Sequence, residues 1–128
     1  MAAFFSRPDL EPGEKILLEP AANRNVANRG IGGRLYVTDR RLVFTPSKLF
    51  RATKQVPWIC PHPEVVAVGE AGQMLEQVFS GGLRKRLLVR SADGREELFV
   101  INHLEKLLPV ITDAVVAGGG SAGSAAAG

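Results

Sequence analysis

One cysteine, one tryptophan, one tyrosine and two histidines are all that the 128 residues contain of these types. The lone cysteine, Cys60, excludes an intramolecular disulfide and points to a reducing, cytoplasmic compartment. With histidine only at positions 62 and 103, the spaced Cys/His pairs of a zinc site are missing. So is the base and orienting group that a nucleophilic cysteine needs. The expectation is a chain with no enzyme activity, no metal and no cofactor. Aromatic residues are 6% of the sequence, too few to build exposed stacking platforms, so nucleic acid is disfavoured as a partner. No apolar run approaches the ~18 residues of a membrane span. The opening Met-Ala-Ala-Phe-Phe-Ser-Arg-Pro also lacks the basic and apolar regions of a signal peptide.

What is present is an ordinary globular composition, 45% hydrophobic and 23% charged, sufficient for one domain with its own core. The net charge is +3, and its placement is uneven. Six cations (Arg34, Arg40, Arg41, Lys48, Arg51, Lys54) face one acid, Asp39, between positions 34 and 54. Four more (Arg84, Lys85, Arg86, Arg90) lie between 81 and 90 with no acid. Acids concentrate elsewhere, at Asp9, Glu11, Glu14 and Glu19, then at Glu64, Glu70 and Glu76. Such asymmetry suits an anionic partner.

Residues 1–12, punctuated by Pro8 and Pro12, read as a flexible arm, and the Gly/Ser/Ala-only stretch 118–128 as a flexible tail. Between them lies one domain, 13–117. A strand begins over Lys15–Leu18, and Asn23 to Gly30 reads as a long polar loop. Gly33 to Phe44 is a hairpin: Leu35 and Val37 share one face, Asp39-Arg40 reverses the chain, and Leu42 and Phe44 resume the alternation. A fourth strand over Gln55–Ile59 turns Val56 and Trp58 to the core, with Pro57 confining it to an edge or a bulge. Val65–Val68 is a fifth. Residues 71–84 combine helically spaced Met74, Leu75, Val78 and Phe79 with glycines and read as a helix or a long connection. Leu87–Arg90 and Glu97–Ile101 form a hairpin through Asp93-Gly94.

The period then changes. Asn102 and Glu105 suit a capping box, and Leu104, Leu107, Leu108, Ile111 and Val115 follow at helical spacing up to Gly118. Pro109 either stands inside that helix, at about 3 kcal/mol, or begins it. Short antiparallel strands followed by one amphipathic helix describe a mainly β barrel or sandwich, plugged by the helix. The expected core is Leu35, Val37, Leu42, Phe44, Val56, Trp58, Leu108 and Ile111. The glycines of Arg29-Gly30-Ile31-Gly32-Gly33-Arg34 precede a strand instead of a helix, which argues against a phosphate-cradling loop and for a flexible lead into the hairpin.

The run Gly33-Arg34-Leu35-Tyr36-Val37-Thr38-Asp39-Arg40-Arg41-Leu42-Val43-Phe44 resembles the signature of the GRAM domain, a member of the pleckstrin-homology-like superfold. Gly13-Glu14-Lys15-Ile16, the block Phe79 to Leu83 and the lead Phe99 to Asn102 extend the resemblance over roughly residues 13 to 116. It implies a seven-stranded antiparallel pleckstrin-homology-like barrel capped by the C-terminal helix, acting as an interaction module. Meander geometry puts Arg24 and Arg29, after the first strand, beside Lys48, Arg51 and Lys54, after the third. The resemblance adds Arg95 to that end, while Arg84, Lys85 and Arg86 form a second cluster. The expected function is peripheral contact with anionic phospholipid, on the inner membrane surface, through these cations, with Leu49 and Phe50 dipping into the bilayer. The alternative is an adaptor that takes a partner strand or peptide. The Lys/Arg-x-Arg phosphoinositide pattern of pleckstrin-homology domains is not reproduced, because Tyr36 stands two after Arg34.

Overall fold

The computed structural model describes residues 7–26, 29–47, 57–71 and 86–123, without the side chain of Arg29. Along the chain run β1 (Ile16–Leu18), β2 (Ala21–Val26), β3 (Arg29–Thr38), β4 (Arg41–Pro46), β5 (Trp58–Pro61), a single 3-10 turn (His62–Glu64), β6 (Val65–Glu70), β7 (Arg86–Ser91), β8 (Glu96–Ile101) and the helix α1 (Leu104–Ala117). The strands form one antiparallel sheet in the order β5-β4-β3-β2-β8-β7-β6, with β1 pairing β3 off that path. Because β1 and β2 both lie along β3, they act as one strand broken at Glu19-Pro20. The sheet therefore has seven positions, curls into a half-barrel, and carries its one helix at the C-terminus.

The stretch read as a polar loop is a correction. Residues 21–26 are β2, bonded to β3 on one side and β8 on the other. Asn23 and Asn25 disfavour a strand locally, but pairing on both sides supplies what propensity lacks. Gly33 is equally far from a flexible lead: a Cβ there would stand 2.2 Å from the Thr45 carbonyl oxygen. Glycine is needed because two strands pass too close for a side chain. Pro57 stands just before β5, which is an edge strand three residues later than expected. Val56 and the segment 72–84, read as a helix or connection, lie outside the described residues.

Inward alternation gathers Leu35, Val37, Leu42, Phe44, Cys60, Leu87, Val89, Phe99 and Ile101 around Leu104, Ile111 and Val115 of α1. Trp58 and Leu108, expected in this core, are only partly buried against it. The Phe99 ring lies 5.7 Å from Phe44 and 5.3 Å from Trp58, both tilted, so it links opposite walls of the half-barrel.

The helix begins without the expected capping box. Its N-cap is His103, in the left-handed region at φ 60°, with no side-chain cap bond. Pro109 lies inside it, on an exposed face where water reaches the carbonyl the missing N–H leaves free. At the other end Gly118 is the C-cap and Gly119, at φ +103°, takes the left-handed position. The amides of Gly119 and Gly120 bond Val116 and Val115 carbonyls at 3.1 and 2.8 Å, a complete Schellman motif.

Beyond it the expected flexible tail is corrected over 120–123. The Ser121 amide donates to the Val65 carbonyl at 2.9 Å, and the Val68 amide to the Ala122 carbonyl at 3.3 Å. This segment thus runs along β6 in the same direction, on the edge no other described strand covers. Likewise the N-terminal segment is held at its end: Arg41 Nη2 donates to the Asp9 carbonyl at 2.6 Å and Arg40 Nη2 to that of Pro12 at 3.0 Å.

Candidate functional site

Two of the four stretches that carried the resemblance, Gly13 to Ile16 and Gly33 to Phe44, meet in one buried network. Glu14, with no side-chain exposure, accepts from Thr38 Oγ1 at 2.6 Å, Arg41 Nε at 2.9 Å, Arg41 Nη2 at 3.1 Å and the Glu11 amide at 2.9 Å. Thr38 Oγ1 in turn accepts from the amides of Arg40 and Arg41, and Asp39 Oδ1 from that of Lys15. Thr38 thus bonds backbone within the reversal and Asp39 bonds it across to Lys15, and together they lock the start of β1 to the β3–β4 hairpin. All of these partners are internal, so the network is structural. Its pieces are far apart in sequence, which is why spacing alone gives only half of it.

The register puts the β2–β3 turn, closed by Val26 and Arg29, at one end of the sheet. Ser47, whose amide bonds the Gly32 carbonyl, and Trp58, opposite Phe44, put both ends of the β4–β5 connection at that same end. Lys48, Arg51 and Lys54 themselves lie outside the described residues, as do Arg84 and Lys85. Arg86 starts β7, at the opposite end of that strand from the β7–β8 turn carrying Arg95.

Arg24 shares the inward parity of Ala22, and Glu97 that of Phe99. Across the β2–β8 ladder they form a two-pronged ion pair, Nε–Oε1 2.8 Å and Nη2–Oε2 3.0 Å, with only 18% and 14% of the side chains exposed. The charge of Arg24 is therefore compensated inside the half-barrel. Parity would have shown from sequence that Arg24 faces inward had residues 21–26 been read as a strand, while its partner is set by the β2–β8 pairing. Arg95, two residues before Glu97, is 81% exposed and lies 3.6 Å from Asp93 in the expected Asp93-Gly94 turn. Arg7, Arg40, Arg41 and Arg90 are likewise matched, by Glu19, Glu11, Glu14 and Glu96.

No family model and no curated protein matches the sequence. Among solved structures the chain is similar to the C-terminal domain of an unknown protein from Leishmania infantum, with a TM-score of 0.64 at 12% identity, over 82% of this chain and 87% of that one. At that identity the likeness concerns the fold alone.

Cys60 is buried, and burial, reinforced by Glu64, Asp93 and Glu97, pushes its thiol up to about 11. It stays protonated at neutral pH, a state of low nucleophilicity. Among the described residues no three His, Cys, Asp or Glu side chains cluster as a metal site requires.

His62 is fully buried, with Nε2 at 2.7 Å from the Thr38 carbonyl oxygen. A carbonyl only accepts, so Nε2 carries the proton and Nδ1 remains a buried acceptor without a partner. Burial outweighs the Thr38 bond and lowers the His62 pKa from 6.5. For Glu14, burial raises the pKa, but bonds from Arg41, Thr38 and the Glu11 amide outweigh it and hold the carboxyl at about 2, against 4.5 ordinarily. Both groups bind protons more readily when unfolded, so both make stability fall with pH. Urea unfolding is expected to show a first loss setting in below about pH 6.5, from His62, and a second between pH 4.5 and 2, from Glu14. The Glu14 step amounts to roughly 3 kcal/mol. A flat profile from pH 8 to 5 would contradict the buried neutral imidazole.

Proposed function

We propose that the chain is a non-catalytic, GRAM-like module that contacts an anionic phospholipid surface through its β4–β5 connection. The observation that carries this is the charge inventory. Lys48, Arg51 and Lys54 stand in one connection without an acid, and their charge equals the whole chain's net +3. The rest of the molecule sums to zero charge, and six of its described cations, Arg7, Arg24, Arg40, Arg41, Arg90 and Arg95, have carboxylate partners. Arg29, across the adjoining β2–β3 turn, adds to the same end of the sheet, while Leu49 and Phe50 offer apolar side chains among the cations. Arg24 contributes to the half-barrel through Glu97 instead.

Each Lys or Arg at an anionic surface contributes about 1 kcal/mol. Replacing Lys48, Arg51 and Lys54 together by alanine is therefore expected to weaken co-sedimentation with phosphatidylserine-containing vesicles about a hundredfold. Binding of the parent should fade as salt shortens the Debye length from ~10 Å at 0.1 M to ~3 Å at 1 M. Equal binding to neutral vesicles, or a triple variant that binds as well as the parent, would remove this reading. A second reading, an adaptor that adds a partner strand, is favoured by the edge of β6, which already accepts one extended segment.

A further inference from the structure

The β6 edge and the glycines beside it are used by nothing in the anionic-surface reading. An open edge presents unpaired amides and carbonyls, and proteins commonly cover or blunt it. Here the cover is the chain's own C-terminal segment, turned back by the Schellman motif at Gly118–Gly120. Its bonds run from the Ser121 amide to Val65 and from the Val68 amide to Ala122, at 2.9 and 3.3 Å.

The fit is specific to glycine at three positions. A Cβ on Gly118 would stand 2.3 Å from His62 Cδ2, one on Gly120 2.1 Å from the His62 carbonyl oxygen, and one on Gly123 2.3 Å from the Val66 carbonyl oxygen. The obstacles at Gly120 and Gly123 are backbone, which cannot swing aside. Between them Ala122 packs partly against the core. The segment looks like a linker by composition, yet its glycines fall where two backbones and a buried imidazole leave no volume.

We propose that the β6 edge is a strand-acceptor site for extended segments with glycines at this spacing, and that residues 118–123 occupy it in cis. The adaptor reading thereby gains a defined surface and a partner chemistry: a Gly/Ala/Ser strand laid parallel to β6, with glycine over His62 and Val66. The tether makes the segment a competitor at an effective concentration on the order of millimolar, so a trans strand reaches the edge only when the segment is released. The proposal depends on none of the basic residues and survives or fails independently of vesicle binding.

The test uses the full chain and its Gly120→Val/Gly123→Val variant, followed by amide exchange and by titration with a synthetic peptide of residues 117–123. Val68 donates to the segment, so the variant is expected to exchange its Val68 amide at least about tenfold faster while the β7–β8 amides keep their protection. The peptide at millimolar concentration is expected to shift the Val65–Gly69 resonances of the variant, saturably, and to leave the parent unchanged. A peptide carrying valine in place of Gly120 should bind neither. Unaltered Val68 exchange in the variant would overturn the cis docking. Faster Val68 exchange in the variant but equal or absent peptide shifts in the two proteins would overturn the acceptor site. Should the variant lose its β7–β8 protection, Gly123→Val alone gives the same readout with one backbone clash instead of two.

Discussion

Replacing Glu14 by alanine is expected to destabilise the fold by about 3–5 kcal/mol, as breaking a buried ion pair generally does. The carboxylate is fully buried and receives four donors, two of them from the Arg41 guanidinium, whose side chain is only 18% exposed. Truncation leaves that guanidinium, the Thr38 hydroxyl and the Glu11 amide without their common acceptor. Against a total stability of ~5–15 kcal/mol the loss is large, on the order of 15 °C in Tm. The pair itself contributes much less than its breakage costs, since desolvation offsets most of the attraction. A Glu14→Leu/Arg41→Met double variant should accordingly be less destabilised than the two single losses together. Urea unfolding at pH 7 measures all three. A Glu14→Ala loss below about 1 kcal/mol, the range of a surface pair, would show that the network does not hold β1 to the hairpin.

Phe44→Ala is expected to cost about 3–5 kcal/mol through lost burial and the cavity left behind. Phe44 is 1% exposed, lies opposite Leu35 and Trp58 in the ladders, and meets the Phe99 ring at 5.7 Å. Its Cζ also fills the space a Cβ on Gly33 would take, at 2.7 Å. The walls of the resulting cavity are hydrogen-bonded strands, so little collapse is available to reduce the cost. Phe44→Leu should recover most of the stability, since it keeps apolar volume in the same place. A change below about 1 kcal/mol for the alanine variant would mean that the inward register of β4 is misassigned.

The alternation of Leu35, Val37, Leu42 and Phe44, the turns at Asp39-Arg40 and Asp93-Gly94, and the helical spacing from Leu104 to Val115 were all legible. Each is a local pattern whose period matches the element it forms. Thr38 was legible for the same reason, because its amide partners Arg40 and Arg41 lie close in sequence, whereas the partner of Asp39, the Lys15 amide, does not. The concentration of cations between Lys48 and Lys54 is equally a property of sequence alone.

Other features depended on what the chain meets after folding. Asn23 and Asn25 carry no strand signal, and β2 exists because β3 and β8 bond it from both sides. Arg24 looked like a free cation until Glu97, far along the chain, was brought across the ladder to neutralise it. Glu14 gained its role only when the hairpin brought Thr38 and Arg41 onto it. The glycines from 118 to 123 read as slack because composition reports flexibility, whereas the clearance around His62 and β6 is a property of packing. Periodicity thus determined the β3–β4 hairpin, the helix and its core face, because burying apolar side chains on one side is a local requirement. Ion-pair partners, edge cover and the need for glycine were decided by tertiary contacts, because they rest on distances between segments that sequence order does not encode.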